Sequence, residues 1–187
     1  PEQLKNCKES LENRCSKATF DGSLTFVIGE NGMDLALKLG LPARQIIKTG
    51  NWLGPLLVSA AENGVKNLLL FGYHGKLIKL SGGIFHTHHH LADGRLEILT
   101  SLAVKEGISF DSIQLISKST SVEHALLALE SKKPEDVALI WGRMAKEIEI
   151  KSRSYVNRYL SSSMEIGSVL FDRKRQIRWA GFKGLEQ

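Results

Sequence analysis

The sequence predicts an α/β protein: a Rossmann-like parallel sheet flanked by helices, with a helical C-terminal part and a terminal β-hairpin. Three short apolar segments, each followed by glycine or asparagine and then by a helical pattern, recur at about 20-residue spacing, as in parallel β-α-β units. A long amphipathic pattern begins at Pro134, and two apolar segments flank a charged turn near residue 174. We expect a single domain over 1–187, with its core in 20–118 and helices plus hairpin in 119–187.

The first half of the chain is predicted to alternate between helices and strands. Gly40 and Gly64 stand just past two of the helices, where glycine commonly ends a helix. The predicted elements are a helix over Glu2–Lys17, a strand over Leu24–Ile28, a helix over Met33–Leu39, a strand over Gln45–Lys48, a helix over Trp52–Glu62 and a strand over Leu68–Phe71.

Glycine and asparagine cluster after each predicted strand, at residues 29–32, 50–51 and 72–75. Parallel strands place their carboxyl ends at one edge, so we expect all three clusters there. Backbone N–H groups at the helix starts that follow suit a carboxylate, phosphate or ribose. Tight turns alone also explain such clusters, and both interpretations stay open.

A stretch rich in glycine, lysine and histidine follows the third strand. Four glycines between residues 72 and 83 alternate with Lys76 and Lys79, and four of the six histidines stand between residues 86 and 90. Glycine lets the backbone approach a ligand, and lysine offers a positive point charge. Since open α/β sheets bind ligands at strand carboxyl ends, we predict a ligand-binding loop that brings Lys76, His88 and Asp93 together.

The second half is predicted to be mostly helical. A helix over Leu91–Lys105 has an apolar stripe at Ala92, Leu96, Leu99 and Ala103, and Asp93 and Glu97 share another face. Phe110–Ser117 is apolar, Ser121–Glu130 is a short helix, and a helix from Pro134 to about Tyr159 starts with proline and two acids. Val169–Phe171 and Gln176–Trp179 form the hairpin, and the sequence leaves open which strands it pairs with.

Composition indicates an ordinary globular protein, with 42% hydrophobic and 24% charged residues. No apolar run has the length of a membrane span, so we expect no membrane partner and a cytoplasmic protein. Cys7 and Cys15 lie on the first predicted helix, about 12 Å apart along its axis, too far to bridge within it. The chain begins with Pro1 rather than methionine, and we expect a portion of a longer protein.

Positive charge is concentrated near the C-terminus. Residues 143–183 contain ten Lys/Arg against four Asp/Glu, whereas the whole chain has a net charge of +5. A solvated face, an anionic small ligand and nucleic acid all remain interpretations. With three tyrosines and no RNA-stacking aromatic motif, the sequence favours a protein that binds no nucleic acid.

The histidine cluster invites comparison with zinc sites. His86, His88 and His90 alternate along the chain, which would place imidazoles on one side of an extended segment. The cluster itself contains no Cys, Asp or Glu, and Asp93 is the nearest carboxylate. We therefore expect no metal site, and favour histidine as a proton-transfer group or a polar ligand contact.

Twelve residues of the same stretch form a motif, and two shorter motifs, Gly29–Gly32 and Lys48–Gly54, precede it in the chain. The residues of the main motif are Gly72, Gly75, Lys76, Leu77, Lys79, Leu80, Gly83, Thr87, His88, Ala92, Asp93 and Arg95. With these motifs in this order, the sequence resembles the CbiD family, cobalt-precorrin-5B (C-1)-methyltransferases of anaerobic cobalamin biosynthesis.

Some positions depart from the family pattern. Tyr73 replaces a histidine, with His74 one place later, and Ser81, His86 and His89 also differ. The likeness covers most of the chain but only the later half of the family's length, because the family's earlier glycine/threonine motif is missing here. The missing N-terminal half of the same protein is thus an expected partner.

The resemblance implies methyl transfer from S-adenosylmethionine to C-1 of cobalt-precorrin-5B, giving cobalt-precorrin-6A. The anionic tetrapyrrole would bring its own cobalt, and a homodimer is an option. The expected site comprises His88 and Asp93 as catalytic residues, Gly29, Asn31, Gly32, Gly50, Asn51, Gly72 and Gly75 for the cofactor, and Lys76, Lys79, Thr87 and Arg95 for the substrate. The basic segment Arg173–Arg175 would neutralise further carboxylates.

Two other functions compete with this interpretation. A non-catalytic binding module would use the glycine clusters and the basic segment to hold an anionic ligand or a partner protein. A metal-dependent hydrolase would use the histidines to hold zinc. Both stay open at the level of sequence.

Overall fold

The computed structural model describes residues 2–88, 90, 91 and 93–181; the predicted features at His89, Ala92 and 182–187 lie outside these residues. Within them, eight α-helices and five strands make up a mixed α/β fold. The helices are α1 (Glu2–Cys15), α2 (Met33–Lys38), α3 (Leu53–Glu62), α4 (His74–Ser81), α5 (Arg95–Glu106), α6 (Phe110–Ser117), α7 (Val122–Lys132) and α8 (Pro134–Asn157). The strands are β1 (Ser23–Ile28), β2 (Ile46–Thr49), β3 (Asn67–Tyr73), β4 (Glu165–Phe171) and β5 (Ile177–Ala180).

The strands form one sheet in the order β2-β1-β3-β4-β5, which confirms the predicted fold class. The first four strands are parallel, and β5 runs antiparallel to β4 as the predicted hairpin. The connection from β1 leads outward to β2, and the next one returns across β1 to β3. The loops after β1 and β3 therefore diverge and leave a crevice at the carboxyl ends of these strands.

Both faces of the sheet are covered, so its strands are nearly continuous apolar runs, as expected for parallel sheets. Along β3, Leu68 and Leu70 point into the larger core with α1, α3, α4 and α8 residues. Leu69 and Phe71 point to the other face, where α2 contributes Ala36. Side chains alternate along a strand, which divides one apolar run between two cores.

The helical part packs against the sheet through α8. Val137, Trp141, Met144 and Ile148 of the predicted stripe are buried on this helix, whereas Tyr159 lies past its end and is 64% exposed. Helices α5, α6 and α7 pack on one another and on α8. No helix in the described part of the chain is both long and apolar enough to span a membrane.

Two predictions about the central stretch are wrong. The expected glycine-rich loop after Phe71 is absent, because β3 continues to Tyr73 and α4 begins at the next residue. The apolar residues Leu77, Ile78 and Leu80 are fully buried, and this packing overrides the weak helix propensity of the glycines. The helix predicted from Leu91 starts at Arg95 instead, after Gly94 with φ 63°.

Candidate functional site

A cavity of about 400 Å³ opens at the crevice between the ends of β1, β3 and β4. It combines the loop after β1, the β3–α4 junction and the turn after β4. Its lining residues are Ile28, Gly29, Asn31, Tyr73, Lys76, Phe171, Asp172, Arg173 and Arg175. The volume is within the usual range for small-molecule sites, and the place is where an open α/β sheet binds its ligand.

The loop after β1 approaches Lys76 closely at Gly29. This residue has φ 93° and ψ 178°, a backbone conformation that is essentially restricted to glycine. A Cβ atom at this position would lie 3.3 Å from the Lys76 Nζ atom. The missing side chain therefore leaves room for the lysine amine beside the loop.

Positive charge dominates the cavity wall. Lys76 lies in the first turn of α4, and Arg173 and Arg175 come from the turn between β4 and β5. Arg175 has φ 64°, a conformation that glycine or asparagine usually occupies in turns. Its Nη2 atom lies 2.5 Å from Asp34 on α2, so an ion pair links the turn to the loop side of the cavity.

Asp172 shapes the same turn from inside. Its side chain is buried, and its Oδ1 atom accepts a hydrogen bond from the Gln176 backbone N–H at 3.0 Å. Arg178 of β5 lies 3.5 Å from the other carboxylate oxygen and also pairs with Glu130 of α7. These contacts fix the backbone that carries Arg173 and Arg175.

Tyr73 marks the point where the cavity meets the interior. Its hydroxyl donates to Glu123 Oε2 at 3.2 Å and accepts from Arg173 Nε at 3.3 Å. The next residue, His74, is 1% exposed and places Nε2 2.6 Å from the same Glu123 oxygen. Burial raises the pKa of the Tyr73 hydroxyl, so it is protonated at neutral pH.

A second group of predicted residues lies beside β2. After α4 the chain returns to the carboxyl edge, where Thr87 Oγ1 donates to Asn51 Oδ1 at 3.0 Å and the Thr87 backbone N–H donates to the Asn51 carbonyl at 2.9 Å. Lys79 is only 2% exposed, and its amine donates to the Thr87 carbonyl at 3.3 Å. Burial lowers the pKa of Lys79, and the charge of Asp93 partly opposes this shift.

The first amides of α3 are already satisfied. The backbone N–H groups of Leu53 and Gly54 donate to the Phe85 carbonyl at 3.0 and 3.1 Å. The ring of His86 packs edge-on against Trp52 at 4.2 Å between centroids. This helix start therefore binds the returning chain instead of presenting those two amides to a ligand.

Asp93 and Arg95 form a bidentate ion pair at the start of α5. Arg95 Nε lies 2.5 Å from Asp93 Oδ1, and Nη2 lies 2.8 Å from Oδ2. Hydrogen bonding by Arg95 lowers the pKa of Asp93 to about 2, and burial partly opposes this effect. Asp93 is consequently ionised throughout the neutral range, and Arg95 is held next to it.

The structure brings some of the predicted site residues together. Gly29, Asn31 and Lys76 line the cavity, and Asn51, Thr87 and Lys79 form the neighbouring hydrogen-bonded group. The ring neighbours of His88 are His86 at 6.4 Å and His90 at 5.1 Å between centroids. The roles predicted for His88, Asp93 and the other residues stay predictions.

Four predicted cofactor glycines lie close to side chains from other positions in the chain. A Cβ atom would lie 2.8 Å from Val27 at Gly32, 2.6 Å from Gln3 at Gly50, 3.2 Å from Ile28 at Gly72 and 2.4 Å from the Tyr73 ring at Gly75. Gly72 also lies within β3, paired with Ile28, and not in a loop. Close packing accounts for Gly32, Gly72 and Gly75 without a ligand, whereas the exposed Gln3 side chain at Gly50 is free to move aside.

Sequence reasoning missed Tyr73 and Glu123. The tyrosine had a local signal, because it ends an apolar strand and stands where the resembling family has a histidine. Glu123 is 50 residues further along the chain and occurs in the first turn of α7, where acidic residues are common. Its contact with Tyr73 depends on long-range packing that no local pattern encodes.

Another large cavity lies away from the carboxyl ends of β1, β3 and β4. With a volume of about 760 Å³, it lies at the opposite edge of the sheet, between α1 and the segments that precede β1 and β2. Across residues 2–88, 90, 91 and 93–181, no three His, Cys, Asp or Glu side chains converge as a metal site would require. Cys7 and Cys15 are free thiols, and burial raises the pKa of Cys15.

Comparison with known proteins gives consistent matches. Three relatives, all named cobalt-precorrin-5B C(1)-methyltransferase, come from Prochlorococcus marinus strains NATL1A (83% identical), NATL2A (82%) and MIT 9313 (54%). Each match covers the whole of this chain and 49% of the relative, so the chain spans about half the length of these proteins. No solved structure matches the chain.

A family model described as the CbiD C-terminal domain matches residues 86–181, just over half of the chain. The matched region begins at the returning segment with His86 and Thr87, and continues through α5–α8 to the β4–β5 hairpin. It therefore includes Arg173 and Arg175 of the cavity wall, and Glu123, which contacts Tyr73. The chain belongs to the CbiD family.

Proposed function

We propose that this chain supplies one half of an S-adenosylmethionine-dependent methyltransferase that acts at C-1 of cobalt-precorrin-5B and gives cobalt-precorrin-6A. Family membership and the names of the relatives support the activity. The observation that carries the proposal to this half is the cationic cavity at the ends of β1, β3 and β4. The N-terminal half of the longer protein is the expected partner, in the cytoplasm, and a homodimer remains a prediction.

The cavity suits a ligand that carries carboxylates. Lys76, Arg173 and Arg175 provide three cations around one opening, and charge-assisted hydrogen bonds to carboxylates are among the strongest in proteins. The loop at Gly29 and Asn31 provides close backbone approach for the amino-acid or ribose part of the methyl donor. Tetrapyrrole carboxylates and the donor's own carboxylate are both chemically compatible with this wall.

Methyl transfer depends mainly on positioning. When bound, S-adenosylmethionine supplies an electrophilic methyl group on a sulfonium, and the protein has to align the accepting carbon with it. Residues of this chain would bind and orient the two molecules and exclude water from the crevice. Because its pKa is about 2, Asp93 is a poor proton acceptor, which favours an electrostatic role through Arg95. His88 remains the proposed proton-transfer group.

A binding module for an anionic ligand is the second candidate, favoured by the same three cations. Calorimetric titration with S-adenosylhomocysteine, followed by turnover measurements, separates the two functions in the full-length protein. Lys76→Ala is expected to weaken binding in either case. In the enzyme it also changes the rate at saturating substrate if the amine acts in the transition state. Lys151→Ala, an exposed lysine on α8, is the matched control.

One result would support only the binding module. Ligand binding by the full-length protein, lost in Lys76→Ala but without methylated product under any condition, would remove the enzymatic proposal. If calorimetry gave Lys76→Ala and Lys151→Ala the same ligand affinity, the cavity would not be the binding site under either candidate function.

A further inference from the structure

Behind Tyr73 of the cavity wall, two neighbouring residues converge on one carboxylate. Glu123 is only 12% exposed at its side chain, and one oxygen, Oε2, contacts both the Tyr73 hydroxyl at 3.2 Å and His74 Nε2 at 2.6 Å. His74 itself is 1% exposed. Enclosing a carboxylate costs free energy unless its partners compensate, so two donors on one oxygen indicate a built arrangement.

The surroundings of His74 favour its neutral form. A neutral His74 with its proton on Nε2 donates to the same Glu123 oxygen as the Tyr73 hydroxyl does. Burial lowers the pKa of His74, while Glu123 and Asp172 oppose the shift and Arg173 adds to it. Within the described residues His74 Nδ1 has no hydrogen-bond partner, and its ring packs edge-on against Trp141 of α8 at 5.1 Å. A second proton there would bury an unpaired N–H.

The contact extends outward to the cavity. Because the Tyr73 hydroxyl gives its proton to Glu123, its oxygen is free to accept from Arg173 Nε at 3.3 Å. Arg173 is exposed on its turn, and ordering such a long side chain has an entropic cost. The direction of the Tyr73 O–H bond thus decides whether this hydrogen bond to Arg173 can form.

We propose that Glu123 is a positioning residue of the cavity: anchored by His74, it orients Tyr73, and Tyr73 holds the Arg173 guanidinium where a ligand carboxylate binds. The identity of the ligand rests on the proposed function. Its carboxylate belongs either to the amino-acid part of the methyl donor or to the tetrapyrrole side chains. The arrangement itself is independent of which molecule carries it.

The test uses the full-length protein with the variants Glu123→Gln, Tyr73→Phe and the double variant. Uroporphyrin, a stable polycarboxylated tetrapyrrole, and S-adenosylhomocysteine are titrated separately, and the ligand that loses affinity identifies the source of the carboxylate. Each single change is expected to weaken that ligand by about five- to tenfold, the usual effect of losing one ordinary hydrogen bond, because the residue acts on the ligand only through Arg173. The double variant should be no weaker than Tyr73→Phe, since Glu123 acts through Tyr73.

Glu106→Gln is the matched control, because Glu106 is a partly buried carboxylate paired with Arg143 at 2.5 Å and does not line the cavity. It should leave both affinities within about twofold of the parent. The proposal would be overturned if Tyr73→Phe left ligand affinity unchanged, or if neither probe bound the parent. It would also be overturned if the affinity loss of the double variant equalled the product of the two single losses. If Glu123→Gln does not fold, the double variant of Tyr73→Phe with Arg173→Ala is compared with Arg173→Ala instead. The two should have the same ligand affinity. Methyl transfer by the parent, measured separately, tests the proposed function without affecting these affinities.

Discussion

Replacing Gly29 by alanine tests the link between backbone conformation and the cavity. With φ 93° and ψ 178°, this position lies in a region that side chains avoid, at a cost of about 1–3 kcal/mol. For a chain of this size, such a loss lowers the melting temperature by about 2–4 °C per kcal/mol. The new methyl group would also lie 3.3 Å from Lys76 Nζ, which must then move by a few tenths of an ångström.

We expect Gly29→Ala to lower the free energy of unfolding in urea by about 1–3 kcal/mol and to weaken anionic ligands by about three- to tenfold. Gly40→Ala is the matched control, because Gly40 has φ 82° and no atom within 4 Å of its Cβ position. Left-handed conformation alone should cost this control about 1–2 kcal/mol, with ligand affinity unchanged. An unfolding free energy for Gly29→Ala within about 0.5 kcal/mol of the parent, or equal affinity losses in both variants, would refute the reasoning.

Three further outcomes follow from the contacts of the site. Lys79→Met should lower the free energy of unfolding by about 1–3 kcal/mol in urea, because the Thr87 carbonyl loses a buried charged donor; stability equal to the parent would contradict this. Since Arg95 depresses the pKa of Asp93 from 3.8 to about 2, the ionised carboxylate stabilises the fold above pH 3.8, and this contribution is lost as the pH falls toward 2. Asp93→Asn should therefore reduce the fall in unfolding free energy at acid pH, by less than about 1 kcal/mol because the pair is exposed. Parallel pH profiles of the parent and the variant would argue against this. Arg175→Gly should change the free energy of unfolding by no more than about 1 kcal/mol, because relief of backbone strain at φ 64° offsets the lost surface ion pair with Asp34. The same change should weaken anion binding, and unchanged binding would exclude Arg175 from the site.

The sheet was predictable because its strands carry strong local signals. Leu24–Ile28 and Leu68–Phe71 are apolar runs of strand length that end at glycine or at a polar residue, and both are strands within two residues of the predicted bounds. Gly40 follows α2 with positive φ, as a helix-ending glycine should. These features depend on neighbouring residues in the sequence, so sequence alone suffices.

The β3–α4 junction was not predictable in the same way. Gly72 and Gly75 have the composition of a loop, yet the first is paired within β3 and the second packs against Tyr73 in α4. Burial of Leu77 decides the conformation, and that burial depends on helices more than 15 residues away. Lys76 was predictable because it belongs to a local sequence pattern. Glu123 was not, because its contact with Tyr73 depends on packing between distant parts of the chain.

The direct passage from β3 into α4 constrains how this protein can diversify. Tyr73 ends the strand and faces the ligand side, while His74 begins the helix and faces the interior, with no residue between them to absorb an insertion. Lengthening the chain here would rotate every later residue of α4 by about 100° per added position and drive Leu77 out of the core. New ligand preferences on this wall must therefore arise by exchanging side chains, whereas the segments after β1 and β4 can also change in length.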